Sequence, residues 1–405
     1  MYFMPLAASA EDRVISLGDG LASLPERLLL AHARGEVLFI CGAGISKPAG
    51  LPDFRELVLD VYGQLDTAVH TVLAGLPRGV CNQWQVACEG LTERQTAEVK
   101  RFIIGDYDVV LGMLERRLDD QTRGDSGVRR TVAERLRSGA NKPAAIHMAL
   151  MRLADRGGTK TIVTTNFDLL LEIASLRLRS RVETYALGSI PRPSRQSEFS
   201  GVLHIHGTLD KNSSRSSELV LTDQDFGEFY LRRRIVPDFI YDAARLFHLV
   251  LVGYSANDPP MRYLLNAVAA DGKRFDDLKE RFTFFGTNVP DLVALEDWKG
   301  RGITPIHYDS NGGHNALRAT LDRWSNLSAI NGKKEVVDAE LFRIVKTNRA
   351  AAAEVDRDLF DHFFRRSNAS ERVRLASLVS AARADIDWLD AIVKIGTEKE
   401  RGRKS

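Results

Sequence analysis

The chain has 405 residues, a formal net charge of +2, and 44% hydrophobic and 27% charged residues. This is the composition of an ordinary globular protein, and the near balance of charge argues against a chain devoted to binding nucleic acid. The three cysteines, Cys41, Cys81 and Cys88, include no C-x2-C pair, which favours a reduced compartment over a disulfide framework. The first ten residues lack the basic leader and apolar core of a signal peptide, and no apolar run approaches the ~20 residues that span a bilayer. We therefore expect a cytoplasmic protein that does not bind membranes.

The first predicted element is a helix that leads into a strand. Ser23 and Glu26 have the spacing of a capping box, Pro25 stands early in the helix, and Gly35 ends it. Val37–Cys41 is then a short apolar run, which is typical of a buried strand.

A glycine-rich loop follows this strand, beginning with Gly42, Ala43 and Gly44. A buried strand that ends in glycines lets backbone N–H groups approach a phosphate closely, as dinucleotide-binding folds require. A G-x-G after a strand is weak evidence by itself. The chain also lacks an acidic residue just past a second strand, about twenty residues on, and this disfavours an ordinary dehydrogenase.

The segment after the loop has helical periodicity. From about Leu57 to Leu153 the apolar residues mostly recur at helical spacing, and nearly a hundred residues is far more than one crossover between strands needs. We predict a helical insertion at about residues 57–157, which forms a wall or lid over the glycine loop.

Short apolar runs and helical segments then alternate along the chain. Further strands are predicted at Thr161–Thr165, Val182–Ala186, Val202–Ile205, Leu249–Gly253, Phe282–Gly286 and Ile303–Tyr308. This alternation predicts an α/β fold, a Rossmann-like parallel sheet with helices on both faces. Polar groups follow the first strand and four of the later ones. Because ligands of such sheets bind at the carboxyl ends of the strands, we expect these groups to form one site.

The chain changes character after residue 332. Residues 333–405 read as several amphipathic helices with a basic tail, and we predict a C-terminal helical module that also offers a contact surface. Residues 1–332 are expected to form the nucleotide-binding domain.

Six motifs occur in an order that resembles the sirtuins. GAGIS is followed after three residues by GLPDFR, and TTNFD, HIHG, GYSAND and GTN come later in the chain. The resemblance implies that Asn166 holds the nicotinamide ribose and a water, and that His206 is the base on a ribose hydroxyl. It further implies that NAD contacts Gly42, Ala43, Gly44, Ser46, Asp53, Phe54, Arg55, Thr165, Asp168, Gly253, Ser255 and Asn288.

The roles of Asn166 and His206 also agree with the chemistry of NAD cleavage, independently of the resemblance. Breaking the bond between nicotinamide and ribose passes through an oxocarbenium-like state, as glycoside cleavage does. The amide of Asn166 can orient water without a counter-charge that would trap the cation. His206, with an ordinary pKa near ~6.5, can take a proton at neutral pH. His204 lies two residues earlier but outside the HG motif, and we leave its role open between a structural and a functional one.

Two departures from the sirtuin pattern indicate a subfamily. Protein-deacylating sirtuins usually hold a structural zinc with two cysteine pairs after the HG motif, whereas this chain has no cysteine between Gly207 and Gly253. The glutamine before the catalytic asparagine is replaced by Thr165. The chain therefore looks like the zinc-less sirtuin-like NAD hydrolases of bacterial antiphage defence, and no metal is expected.

The resemblance implies an NAD+ glycohydrolase that acts by depleting NAD. The alternatives are a module that binds NAD or ADP-ribose without turnover, and a protein deacylase or ADP-ribosyltransferase. Relatives of this kind form homo-oligomers and work with a HerA-like hexameric ATPase that translocates DNA. We therefore expect this chain to form a homo-oligomer and to bind such an ATPase. The chain has no G-x4-G-K-[ST] motif and should not hydrolyse ATP through a P-loop. NADP as the substrate remains open.

Overall fold

The structure is a computed structural model. It describes residues 13–78, 86–119, 126–138, 142–194, 198–209, 219–254, 265, 268, 278–289 and 291–401.

The first described element is a hairpin. Strands β1 (Val14–Ser16) and β2 (Ser23–Pro25) pair antiparallel, and helix α1 (Glu26–Ala33) follows directly. The predicted capping box at the start of α1 is wrong, because Ser23 belongs to β2 and Pro25 stands at the N-cap position without a side-chain hydrogen bond. The S-x-x-E spacing matched a capping box, but the backbone of Ser23 is held by its pairing with Ser16 across the hairpin.

Seven parallel strands form the central sheet, with the order β5-β6-β4-β3-β7-β8-β9. They are β3 (Val37–Cys41), β4 (Thr161–Thr164), β5 (Thr184–Ala186), β6 (Gly201–His204), β7 (His248–Val252), β8 (Arg281–Gly286) and β9 (Ile303–Tyr308). Each lies within two residues of its predicted position. The Rossmann-like fold class is therefore confirmed.

The residues of the sheet are apolar on both faces. In β3, Val37 and Phe39 belong to one hydrophobic core while Leu38 and Ile40 belong to the other, as the two-residue period of a strand requires. Helices cover both cores, which explains why the parallel strands read as continuous apolar runs rather than alternating ones.

A helical insertion separates β3 from β4, as predicted. Its helices are α2 (Phe54–Leu65), α3 (Thr67–Ala74), α4 (Glu93–Ile103), α5 (Tyr107–Leu118), α6 (Gly127–Arg137) and α7 (Ala145–Leu153). The insertion has a third hydrophobic core of its own, built mainly from α2 to α6, whereas α7 packs on the sheet.

Helices also connect the later strands and complete the C-terminal part. They are α8 (Leu170–Arg177), α9 (Asp223–Phe226), α10 (Ile235–Leu246), α11 (Leu292–Gly300), α12 (Asn311–Leu327), α13 (Lys334–Ile344), α14 (Glu354–Arg366), α15 (Ala369–Ala381) and α16 (Ile386–Arg401). A π-helical segment, Gly227–Arg232, continues α9. Among the described helices, none combines the length and apolar character that a bilayer crossing needs.

The C-terminal helices pack on β1, α1 and α12, and they join the hydrophobic core on one side of the sheet. Phe360 of α14 and Trp388 of α16 pack with their rings tilted and the centroids 4.4 Å apart, and both belong to the same hydrophobic core as Phe39 of β3. Buried Glu26 of α1 binds His362 and Arg365 of α14 at 3.2 and 3.1 Å. The C-terminal helices therefore share a core with the sheet, and the division after residue 332 stays a prediction.

Candidate functional site

The glycine loop lies where the strand order of the sheet reverses. Strands β3 and β7 are neighbours, although the chain leaves β3 in one direction and returns on its other side at β7. Doubly wound sheets bind ligands outside the carboxyl ends of the strands at such a switch point. Here Gly42 N–H donates to Val252 O at 3.0 Å, and Gly44 N–H donates to Gly253 O at 2.9 Å.

These glycines allow two loops to touch through their backbones. A Cβ on Gly42 would lie 2.7 Å from Gly253 O, and one on Gly44 would lie 2.8 Å from the same oxygen. Gly253 has a φ of +63°, in the left-handed region that favours glycine. The predicted residues Gly42, Gly44 and Gly253 thus come together, and the contact between their loops has no room for larger residues.

A methyl group on Gly42 tests this packing. The variant Gly42→Ala should lose about 1–3 kcal/mol of stability, because the new Cβ forces the loops after β3 and β7 apart. Its affinity for ADP-ribose should fall as well. Thermal unfolding and calorimetric titration measure both effects. The control is Gly300→Ala at the end of α11, where a Cβ would meet no atom within 4 Å. Wild-type stability and affinity in Gly42→Ala would contradict the role of this contact.

Asn166 lies directly beneath the glycine loop. Its Nδ2 donates to Gly42 O at 3.2 Å and to Ser46 Oγ at 3.0 Å, and the Ser46 hydroxyl donates to Asp168 Oδ2 at 2.8 Å. Both amide hydrogens of Asn166 are used in this way, which directs the amide oxygen Oδ1 as the acceptor for a ligand hydroxyl or a water. Four predicted residues therefore form one hydrogen-bonded cluster.

The loop that carries Asn166 is fixed to β3. Thr165 N–H donates to Cys41 O at 3.0 Å, and the Thr164 hydroxyl donates to the same oxygen at 3.1 Å. Asp168 Oδ1 accepts from Leu170 N at 3.0 Å, which holds the carboxylate at the start of α8. The predicted Thr165 thus positions the loop through its backbone.

His206 follows the neighbouring strand β6. The loop of Asn166 and the loop of His206 are joined, because Leu209 N–H donates to Phe167 O at 2.9 Å. His206 Nε2 lies 2.6 Å from the Tyr230 hydroxyl, and the imidazole packs edge-on against Phe226 with the centroids 5.6 Å apart. The site therefore has an apolar wall built from α9 and the π-helical segment.

Burial lowers the pKa of His206 to about 3. The expectation of an ordinary pKa near ~6.5 was wrong, because it took no account of desolvation by this wall. The imidazole is therefore neutral at physiological pH and can accept a proton or a hydrogen bond. Its basicity is nevertheless weak while the Tyr230 hydroxyl and the aromatic rings surround it.

Three residues of the PDFR motif belong to the insertion. Asp53 caps α2, accepting from Glu56 N at 2.9 Å, and it also binds Lys47 at 2.6 Å. Phe54 packs edge-on against Tyr107 with the centroids 6.0 Å apart. Arg55 donates to Leu76 O at 2.9 Å and lies over the ring of Phe102. The side chains of all three residues therefore already have partners within the protein, mostly in the helical insertion.

The remaining predicted residues are less closely connected to the cluster. Asn288 is exposed after β8 and accepts a hydrogen bond from the Ser310 hydroxyl. Ala43 is half-buried at the start of a short 3-10 turn of the glycine loop. Ser255 lies outside the described residues.

Two residues near the cluster were missed by sequence reasoning. Tyr230 is 24 positions from its partner His206. His147 at the start of α7 is fully buried, and its Nδ1 accepts from Ala144 N at 3.1 Å. The proton therefore lies on Nε2, which has no partner among the described residues, and the negative charge of Asp168 acts on this imidazole. Neither residue belongs to a motif, so only the folded chain reveals them.

No group of three or more His, Cys, Asp or Glu side chains within the described part of the chain could hold a metal ion.

Comparison with known proteins agrees with these motifs. Residues 160–306 match the family model described as SIR2-like domain, and this supports a sirtuin-like family and an NAD-related function for that part of the chain. The uncharacterized protein y4cA of Sinorhizobium fredii (strain NBRC 101917 / NGR234) is 34% identical over 365 residues. That match covers 84% of this chain, but the chain spans only 28% of the length of y4cA.

Two solved structures are also similar to the chain. One is described as the structural basis for the mechanism and regulation of Sir2 enzymes, with 14% identity, a TM-score of 0.35, and coverage of 75% of this chain and 98% of that chain. The other is a mutant Sir2 homologue in an ADP-ribose complex, with 15% identity, a TM-score of 0.33, and coverage of 74% and 96%. The fold assignment itself rests on the strand order described above.

Proposed function

We propose that the chain is an NAD+ glycohydrolase. The observation that carries this proposal is the cluster of Asn166, Ser46, Asp168 and Gly42 at the switch point, with His206 on the adjoining loop. An ordinary dinucleotide-binding site needs the glycine loop but has no need for an amide fixed beneath it.

The proposed reaction consumes NAD+ and water and gives nicotinamide, ADP-ribose and a proton. The bond between the nicotinamide nitrogen and ribose C1 breaks first, and its electron pair leaves with nicotinamide. The amide oxygen of Asn166 holds the attacking water, Asp168 supports the ribose side of the site by binding the Ser46 hydroxyl, and neutral His206 accepts a hydrogen bond or proton from a ribose hydroxyl. The glycine loop has no side chains at Gly42 and Gly44, so the pyrophosphate can approach its backbone closely.

Incubation of the purified chain with NAD tests the proposal. Nicotinamide and ADP-ribose should appear in equal amounts, as measured by liquid chromatography. A deacylated or ADP-ribosylated protein acceptor in mass spectra would instead favour a transferase. NAD that stays intact, both with the chain alone and with its partners, would contradict the proposal.

One observation favours a second candidate, a module that binds NAD or ADP-ribose without turnover. His206 is buried and its Nε2 already has a partner in Tyr230, as expected for a structural histidine. Tight binding of NAD without release of nicotinamide would support this alternative.

The wider role is proposed from the motifs alone. An NAD hydrolase must have an inactive state in its host, so we propose control by homo-oligomer assembly and by a HerA-like hexameric translocase in antiphage defence. Co-purification of the chain with the products of neighbouring genes tests the partnership. A chain that is monomeric and fully active by itself would contradict it.

A further inference from the structure

His204 lies behind the candidate site, at the end of strand β6. Its side chain is fully buried, and each ring nitrogen has one partner. Nδ1 lies 2.8 Å from the backbone oxygen of Asn166, and Nε2 lies 2.9 Å from Glu172 Oε1 on α8. The imidazole therefore connects the loop of Asn166 to the helix that follows it.

Both partners of His204 are acceptors. A backbone carbonyl has no proton to give, and an ionised carboxylate has none either. Each ring nitrogen must then carry a hydrogen, which makes the imidazole a cation paired with Glu172. A neutral imidazole would leave one of these two short contacts without a hydrogen.

The surrounding charges agree with a cationic ring. Burial by itself lowers the pKa of His204, but the charge and hydrogen bond of Glu172, the carbonyl of Asn166 and the charge of Asp168 outweigh it and raise the pKa. Glu172 is held in turn by the Thr184 hydroxyl of β5, which donates to Oε1 at 3.0 Å. Glu172 and Asp168 are the charged groups that act on the ring.

We propose that His204 is a positioning residue, an imidazolium that clamps the peptide of Asn166 to Glu172 and thereby aims the Asn166 amide at the substrate. Its catalytic consequence rests on the proposed NAD hydrolysis, whereas its charge and its effect on the loop do not. His204 does not touch the reacting atoms, because it binds the backbone of Asn166 and not its side chain.

The pH dependence follows from the raised pKa. A histidine whose pKa is higher in the folded chain than the ordinary ~6.5 stabilises the fold fully below that pH, and the contribution is lost as the pH rises through the folded pKa. The order of the Asn166 loop should weaken over the same window. Turnover should fall on the alkaline side in the wild type, and this fall should move to lower pH in Glu172→Gln, which removes the carboxylate that raises the pKa of His204.

Nitrogen-15 NMR of the histidine side chains in the full chain tests the charge directly. The signal of His204 is identified by its loss in His204→Gln. We expect both ring nitrogens to carry protons at pH 7 in the wild type, and one of them to lose its proton in Glu172→Gln. A neutral His204 in the wild type at pH 7 would overturn the proposal, whether or not the chain hydrolyses NAD.

Kinetics and ligand binding test the positioning role. His204→Gln should lower kcat by roughly 10²-fold with little change in KM, because a small misplacement of a catalytic group costs about this much. The backbone amide signal of Asn166 should shift in the same variant. The control is His32→Gln, which alters a buried histidine that binds Leu153 O at 2.9 Å on α7. An unchanged Asn166 signal in His204→Gln would overturn the role even in an inactive chain.

Discussion

Replacing Asn166 or His206 by alanine is expected to slow NAD turnover strongly. Asn166→Ala removes the acceptor for the attacking water and the two hydrogen bonds to Gly42 and Ser46. His206→Ala removes the acceptor for a ribose hydroxyl. Each change should lower kcat by about 10²–10⁴-fold, the usual contribution of a positioned acid–base group. The measurement is nicotinamide release at saturating NAD.

The controls for this prediction use the same residue types on exposed parts of the chain. Asn348→Ala and His307→Ala should keep wild-type turnover, since both side chains are exposed and neither touches the cluster. ADP-ribose should still bind to His206→Ala, because the glycine loop is intact. Full activity in either Asn166→Ala or His206→Ala would remove the basis of the proposed mechanism.

The largest expected effect on stability is at Arg129 of α6. Its guanidinium is fully buried and donates to Glu115 Oε1 at 3.0 Å, to Asp225 Oδ2 at 2.7 Å and to Leu219 O at 3.0 Å. Arg129→Met keeps the apolar volume but leaves two carboxylates buried without their cation. We expect a loss of about 3–5 kcal/mol, as for other broken buried ion pairs, measured by chemical unfolding.

Arg116 provides the matched control for Arg129. It lies on the adjacent helix α5 and binds Asp223 at 3.1 Å, but both side chains are about one third exposed to solvent. Arg116→Met should therefore cost at most about 1 kcal/mol, because surface ion pairs contribute little. Equal losses in the two variants would contradict the distinction between the buried and the exposed pair.

Arg129 also connects the helical insertion to the site. Asp225, which it binds, accepts from Leu221 N at 3.0 Å in the segment before the π-helix. The neighbouring Val220 N–H donates to His206 O at 2.8 Å. Partial unfolding of the insertion should therefore reach His206 as well, and the activity of Arg129→Met should fall at a lower temperature than that of the wild type.

The sheet and the central cluster follow closely from the sequence. β-Branched and apolar runs that end in glycine or polar residues mark the seven strands, because a buried parallel strand has no polar face. The meeting of Ser46 with Asn166 could be predicted for a related reason. Their motifs follow β3 and β4, and the carboxyl ends of neighbouring parallel strands lie at the same edge of the sheet.

The surroundings of His206 could not be read from the sequence. Its pKa depends on Tyr230 and Phe226, which pack on it from a separate part of the chain. Likewise, a motif gives positions in the chain but not the direction of each side chain. Arg55 is only a few residues from the glycine loop, yet it extends into the insertion because a carbonyl and an aromatic ring there satisfy its guanidinium.

The partner of His204 and the packing of the C-terminal helices could not be predicted from the sequence either, because both depend on contacts between distant parts of the chain. His204 and Glu172 are 32 positions apart, and only the packing of α8 on β6 makes them partners. The C-terminal helices have an amphipathic pattern that predicts helices but not what their apolar faces cover. The structure shows that these faces belong to the same hydrophobic core as Phe39 of β3.

Single-turnover cleavage of NAD labelled in the nicotinamide ring is the most direct test of the proposed hydrolase. With the chain in excess over NAD, even a strongly inhibited enzyme should complete one reaction. The proposal predicts one labelled nicotinamide and one ADP-ribose for each NAD consumed in the wild type, and a single-turnover rate about 10²–10⁴-fold lower with Asn166→Ala. Recovery of bound but uncleaved NAD from the wild type, alone and with its partners, would contradict it.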